Sequence, residues 1–223
     1  MVADVVPTQW RVRLGETVQI HTLEPKRVRE AAAVLAEAFT DEPIITQMLP
    51  LGTLHRQRKI ADYFVWSMRL TGIDTVDTAV DPRSGKLLGV ALWEPPGHVS
   101  RWFAGLPATP GVLRGVGRRG LRVLDAYEAA GAGKHPGEPH WHLVDVGTCG
   151  EARGRGVGTR LIEHRLETVD ESGCIASLEA TTERSAQLYR RLGFEHQHAL
   201  SGVADGVSVM WRMPNARGGA LAA

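Results

Sequence analysis

The sequence predicts an α/β protein whose central sheet is mixed, mostly antiparallel and flanked by helices. Apolar residues switch repeatedly between strand and helix periodicity along the chain. Two pairs of apolar runs, 74–80 with 86–93 and 194–200 with 207–213, are joined by turn compositions, Asp81-Pro82-Arg83-Ser84-Gly85 and Ala204-Asp205-Gly206. Between these hairpins the buried run Trp141-His142-Leu143-Val144-Asp145-Val146 meets a glycine-rich basic turn, and a helical pattern follows it.

Residues 1–17 read as a tail or an added edge strand, and 18–22 as the first strand. A helix follows from Pro25, a favoured first-turn residue, with Val28, Ala32, Leu35 and Phe39 on one face. Asp41-Glu42-Pro43 breaks it, and a second helical region covers about 54–70, with Ile60, Phe64 and Met68 inward. Residues 95–139 are punctuated by Pro95, Pro96, Pro107 and Pro110 and contain one expected helix over 113–130. They read as an insertion before the central strand. After the glycine turn, Val157, Leu161, Ile162, Leu166 and Val169 recur at helical spacing. Strand 175–180 then leads through threonines suited to an N-cap into a short helix. Ala186, Tyr189 and Leu192 line one side of that helix, and Gly193 caps its C-terminus. Val207, Val209, Trp211 and Met213 alternate as a half-buried strand should, and 214–223 read as a flexible tail. Residues 18–213 therefore form one domain.

The glycine turn, Arg153-Gly154-Arg155-Gly156-Val157-Gly158, is a place to hold phosphate. Glycine lets the backbone approach an anion, and the first N–H groups of a helix lack internal partners. A P-loop needs Lys and then Ser or Thr after its last glycine, whereas Gly158 is followed by Thr159 and Arg160. The dinucleotide fingerprint fails because no glycine stands at its third position, counted from either Gly154 or Gly156. Arg-x-x-Gly-x-Gly remains, carried by Arg153, Gly156 and Gly158.

That loop, followed by strand 175–180 and a helix ending Leu188-Tyr189-Arg190-Arg191-Leu192-Gly193-Phe194, resembles the GNAT superfamily of acetyl-CoA-dependent N-acetyltransferases. The likeness spans roughly residues 18–213. More narrowly, residues 140–194 resemble the branch containing puromycin N-acetyltransferase, in the run Trp141 to Gly147, the Leu178-Glu179-Ala180-Thr181 segment and the Gly-Phe ending. The resemblance implies a GNAT fold with splayed central strands and acetyl-CoA as co-substrate. Pyrophosphate is then expected over Arg153, Gly154, Arg155, Gly156, Val157, Gly158 and Thr159, with the pantetheine arm along Val146, Gly147 and Thr148. Val146 N–H would polarise the thioester oxygen, Tyr189 would be the general acid and Glu179 the preferred base, with His142 and Asp145 as alternatives. Asp41 and Glu42 border the expected acceptor cleft, and Trp93 and Trp141, on central strands, are candidates for its wall.

The implied reaction is acetyl transfer to a primary amine of a small molecule, an aminonucleoside or related antibiotic being the leading acceptor. A protein amine is the enzyme alternative, and a non-catalytic acyl-CoA sensor the rival from another class. Glu183 replaces a common asparagine at the start of the Tyr189 helix, which places an acidic group near an anionic cofactor. The loop Thr148-Cys149-Gly150-Glu151 lacks the usual proline.

Composition agrees. The net charge of +1 offers no global field for nucleic acid or an anionic membrane. No apolar run reaches the ~18 residues of a membrane span, and Cys149 and Cys174 have no pairing pattern. A cytoplasmic monomer or homodimer is expected. His140 and His142 share a strand face, as do His196 and His198, but neither pair has the four-ligand company of a closed zinc site, and no metal is expected.

Overall fold

A computed structural model of the chain describes residues 17–97, 110–202 and 206–215. The expected N-terminal tail and most of the C-terminal one lie outside these residues. The strands are β1 (Gln19–Thr22), β2 (Val76–Val80), β3 (Leu87–Glu94), β4 (His140–Thr148), β5 (Ile175–Ala180), β6 (Glu195–Ala199) and β7 (Ser208–Arg212). The helices are α1 (Val28–Ala38), α2 (Pro43–Met48), α3 (Arg56–Thr71), α4 (Pro110–Gly131), α5 (Val157–Ser172) and α6 (Glu183–Arg191). One seven-stranded sheet runs β1-β2-β3-β4-β5-β7-β6, antiparallel except where β4 meets β5.

That exception makes the site. β4 and β5 pair only from His140↔Ile175 to Leu143↔Leu178, after which β4 runs to Thr148 and β5 to Ala180 without pairing each other. The bend has a local cause. Pairing with β3 steps from Trp93↔Leu143 to Leu92↔Asp145, so Val144 is an extra residue on β4. Such a bulge bends its strand and sharpens the twist.

Helices cover both faces of the sheet. α1 lies so close to β4 that a Cβ on Gly147 would come within 2.6 Å of the Ala38 Cβ. Gly147 is glycine because of this approach. α5 covers the other face, where Leu161 and Val157 crowd Gly89 of β3. Leu161, Ile162 and Val169 are fully buried there, and burying one such Leu or Ile side chain contributes roughly 1.5–3 kcal/mol. A buried bidentate pair, Arg165 to Asp77 at 2.6 and 2.8 Å, sets the register of α5 on β2, and the same guanidinium lies 5.4 Å over Trp141. Arg212 of β7 reaches Asp170 at the end of α5 in the same way.

Several local expectations shift. The insertion helix is longer than 113–130 and kinks at Gly117 (φ 66°, ψ −177°). Strand 74–80 begins at Val76, because a 3-10 turn takes Ile73–Thr75. β7 is not half-buried: Met210 and Arg212 are covered as well as Val209, since it lies between β5 and β6. His196 and His198 do not share a face. A bulge at Gln197 pairs them with the adjacent residues Met210 and Val209.

Candidate functional site

Beyond Thr148 the chain turns through a 3-10 segment, Gly150–Ala152, and reaches α5 at Gly156 (φ 86°, ψ 0°), its N-cap. That left-handed backbone suits glycine. Among the described residues, the N–H groups of Gly154, Gly156, Val157, Gly158 and Thr159 donate to no protein acceptor, whereas those of Arg153 and Arg155 bond to Gly150 and Ala152 carbonyls. A row of free donors at the positive end of a helix dipole is an anion cradle. The end of α1 holds it in place: Glu37 Oε1 accepts from Gly150 N–H and Glu37 O from Arg153 Nη2, both at 2.8 Å. Arg153 is thus committed to the scaffold. Glu183, acidic where asparagine was usual, lies exposed and is paired with Arg190 at 2.8 Å.

The free edge of β4 has a definite phase. Cys149 N–H bonds to Leu88 O at 3.0 Å, and in an antiparallel ladder bonded and non-bonded pairs alternate. With Gly147↔Val90 and Asp145↔Leu92 in register, those residues point their backbone at β3. Val146 and Thr148 therefore aim theirs into the splay. Of the three expected pantetheine-facing residues, these two have free backbone groups and Gly147 supplies closeness to α1.

The register also places Glu94, His142 and Asp145 on the α1 face, beside Ser177 and Glu179 of β5. Glu179 is 9% exposed and bridges two imidazoles, Oε1 to His135 Nε2 at 3.1 Å and Oε2 to His142 Nε2 at 3.2 Å. His142 Nδ1 lies 2.9 Å from Ser177 Oγ. Burial works against charge on Glu179, but His142 and His135 overcome it and hold the carboxyl well below its usual range. Burial likewise opposes charge on His142, yet the surrounding carboxylates, Glu179 foremost, lift it to about 8.

Asp145 behaves oppositely. Its Oδ2 is buried without a hydrogen-bond partner. Burial, followed by Glu42, raises its pKa to about 7 against the pull of His142. Glu42 caps α2, accepting from Ile45 N–H at 2.8 Å, while its Oε1 is buried and unpartnered. Burial raises its pKa as well. Tyr189 is buried on α6, whose start is fixed by a Thr182–Ser185 capping box. Burial, then Asp145 and Glu179, push its phenol upward. At neutral pH it is a proton donor.

Several sequence-named residues lie elsewhere. Asp41 is exposed, so of the adjacent carboxylates only Glu42 reaches the cluster. Trp93 and Trp141 are buried on the α5 side, with indole N–H groups unpartnered. They belong to the opposite face from Glu179, because Trp141 pairs with Ala176 and Trp93 with Leu143, positions that alternate with Ser177 and Glu179. Glu179, expected to take a proton, is held ionised by two histidines and is a weak acceptor.

The insertion contributes residues that the sequence did not mark. His135, just after α4, stacks on His140 with ring centroids 6.0 Å apart and meets the His142 ring edge-on at 5.1 Å. Glu128 of α4 is raised to about 7 by burial, with Glu179 and Glu94 adding to the effect. Tyr127 is pushed well above its ordinary value by burial and then by Glu179. No spacing rule links residues 127–135 to β5; only the return of α4 over the sheet does.

The profile of the Acetyltransferase (GNAT) family matches residues 78–194. An uncharacterised N-acetyltransferase of Schizosaccharomyces pombe is 25% identical over 201 residues, covering 84% of this chain and 78% of the yeast protein. The crystal structure of histone acetyltransferase HPA2 and related acetyltransferase from Corynebacterium glutamicum superposes with TM-score 0.69 at 28% identity, covering 89% of this chain and 97% of that one. Arylalkylamine N-acetyltransferase 2 of Aedes aegypti has the same fold, with TM-score 0.62 at 16% identity over 89% of this chain and 99% of the mosquito chain.

Proposed function

From the premise that this chain belongs to the acetyltransferase (GNAT) family, whose members use acetyl-CoA, we propose that it acetylates a primary amine of a small cationic molecule. One observation carries the reading: the unpaired end of β4 opens between a cradle of free N–H groups and a cluster holding Asp145 and Tyr189. The donor set fits the co-substrate. Gly154, Gly156, Val157, Gly158 and Thr159 N–H groups would hold pyrophosphate, with Arg155 beside them, and the Val146 and Thr148 backbone would pair with the pantetheine arm as an added strand does.

When bound, acetyl-CoA supplies a thioester carbonyl and a thiolate leaving group. Val146 N–H donates to the carbonyl oxygen as charge gathers there, a contribution of about 3 kcal/mol for one such donor. Asp145 takes the proton from the incoming ammonium. Its pKa of about 7 suits it to exchange protons near neutrality, and its buried oxygen has no competing partner. Glu179 has a different part, keeping His142 and His135 fixed beneath the acceptor. Tyr189 protonates the departing sulfur.

Glu42 and Glu128 give the cleft its preference for a cation. Glu42→Gln is expected to raise the acceptor KM severalfold, with little dependence on salt because the carboxylate is largely buried, while Asp41→Asn does nothing. Equal effects of the two substitutions would remove Glu42 from acceptor binding. Tyr189→Phe should lower turnover by about 10²-fold, near the lower end for a general acid because a thiolate leaves readily. Acetyl-CoA affinity should be unchanged, and undiminished turnover from pH 6 to 9 would return Tyr189 to packing.

A screen of amines with acetyl-CoA, read by release of free thiol, tests the whole reading. It includes aminonucleosides, the finer acceptor class suggested by the run Trp141 to Gly147. Lysine peptides belong in it too, because the 28% identical structure is described as a histone acetyltransferase and related acetyltransferase. Turnover on peptides alone would favour that second reading, and no thiol release from any amine would count against transfer. A cytoplasmic monomer or homodimer is proposed with it; no described helix is long and apolar enough to cross a membrane.

A further inference from the structure

We propose that His135, His140 and His142, together with the Glu179 carboxylate, bind one divalent transition-metal ion of the zinc class, and that its occupancy switches off transfer. The metal site stands on the geometry alone; the inhibition rests on the acetyl-transfer reading. His140 and His142 alternate on β4 and so project from one face, and one donor nitrogen from each of the three histidines lies within 4.8 Å of the others. Glu179 already touches two of them, at 3.1 and 3.2 Å. This supplies the third histidine and the carboxylate that neither the sequence spacing nor β4 provides.

The outer contacts point the same way. A ligating histidine usually binds through one nitrogen while the other is held by a carbonyl, carboxylate or water. His140 Nδ1 lies 2.8 Å from Glu138 O, an acceptor only, so that nitrogen carries the proton and Nε2 keeps its lone pair. His142 Nδ1 is held by Ser177 Oγ at 2.9 Å, leaving Nε2, which faces Glu179, as the nitrogen to bind. Zinc bonds of 2.0–2.1 Å place tetrahedral ligands about 3.3 Å apart, so the histidine donors must draw in by up to about 1.5 Å, and Glu179, which meets His135 and His142 but is not in that 4.8 Å group with His140, must move further toward His140. His135 can move: it lies on the segment after α4, with its side chain 30% exposed.

Three imidazoles and one carboxylate suit zinc, cobalt, nickel or copper rather than magnesium or calcium. They also fill four positions, which makes the site closed rather than catalytic. Binding displaces protons from the histidines and ties up Glu179 beside Asp145. A doubly charged ion then faces the incoming ammonium and opposes the pull of Glu42 and Glu128.

The test uses the full chain, stripped with EDTA and dialysed. Calorimetric titration with zinc sulfate should give one site per chain, and cobalt(II) should give the strong visible absorption of a tetrahedral complex. His140→Gln removes a ligand from a residue with no part in transfer, and should weaken zinc binding at least tenfold while keeping the zinc-free acetylation rate. Ser177→Ala removes only an outer contact and should weaken it by about 10-fold. Zinc should inhibit wild type, reversed by EDTA, and leave His140→Gln active. Absence of zinc binding, or equal affinity in wild type and His140→Gln, overturns the site. Binding without inhibition overturns the switch alone. If no amine is acetylated, the calorimetry and the cobalt spectrum still decide the metal site, so its failure and that of the transferase reading are separable.

Discussion

Asp145→Asn is expected to lower acetylation by about 10³–10⁴-fold and, above neutral pH, to make the protein more stable. The loss of rate is the upper range for removing a positioned base, and Asn keeps the size of the side chain. In wild type, kcat/KM should rise with pH through about 7 as Asp145 ionises, and the variant should lose that limb. The gain in stability follows from the same burial. An unfolded Asp titrates near 3.9, whereas folded Asp145 titrates at about 7. Between those values the folded chain holds a proton that the unfolded chain releases, so stability falls as pH rises from about 4 to about 7. Above pH 7 the whole penalty is present. Solvent screens part of it at a half-buried carboxylate, leaving on the order of 2 kcal/mol. Urea unfolding at pH 4 and pH 8 should therefore show the variant gaining only at pH 8. A variant with wild-type rate, or one destabilised equally at both pH values, would remove Asp145 from the role of base.

Such a residue is kept for function against stability, and the sequence shows why it is hard to pick out. β4 and β5 were readable as apolar runs bounded by turn signals, but the two-residue alternation of a strand, which sets faces, is fragile. A single extra residue resets that count without changing composition. His142 and Asp145, three apart, share a face only because Val144 bulges. The same shift turns Asp145 away from the α5 face that holds Trp93 and Trp141. Residue types that a backbone conformation demands were easier to read. Gly156 stands where φ is positive, and the helix pattern from Val157 locates free donors beside it. Tyr189 was legible through a motif that spans a strand end, a cap and a helix. His135, Glu128 and Tyr127 were not, because their meeting with Glu179 depends on how an irregular insertion returns to the sheet. Gly147 lay between: the resemblance assigned it to the strand expected to meet the co-substrate, while its need for glycine comes from α1, more than a hundred residues earlier.

Gly156→Asp is expected to abolish acetyl-CoA binding in a folded protein. At φ 86° and ψ 0° the residue lies in the left-handed region, where a side chain costs roughly 1–2 kcal/mol and Asp is among the better tolerated types. A carboxylate at a helix N-terminus recovers about 0.3–1 kcal/mol from the dipole and the free N–H groups. Those terms nearly offset, so far-UV circular dichroism and the melting temperature should change little. The same recovery defeats the site. The carboxylate competes for the Gly158 and Thr159 donors that pyrophosphate needs, and its charge repels an anionic ligand at close range. Gly156→Ala separates strain from charge: it carries the backbone penalty without the carboxylate, and should keep weakened but measurable binding by calorimetry. Equal loss in both variants would assign the effect to backbone distortion. Undiminished acetyl-CoA affinity in Gly156→Asp would move the co-substrate away from the N-terminus of α5, and with it the roles given to Val146 and Thr148.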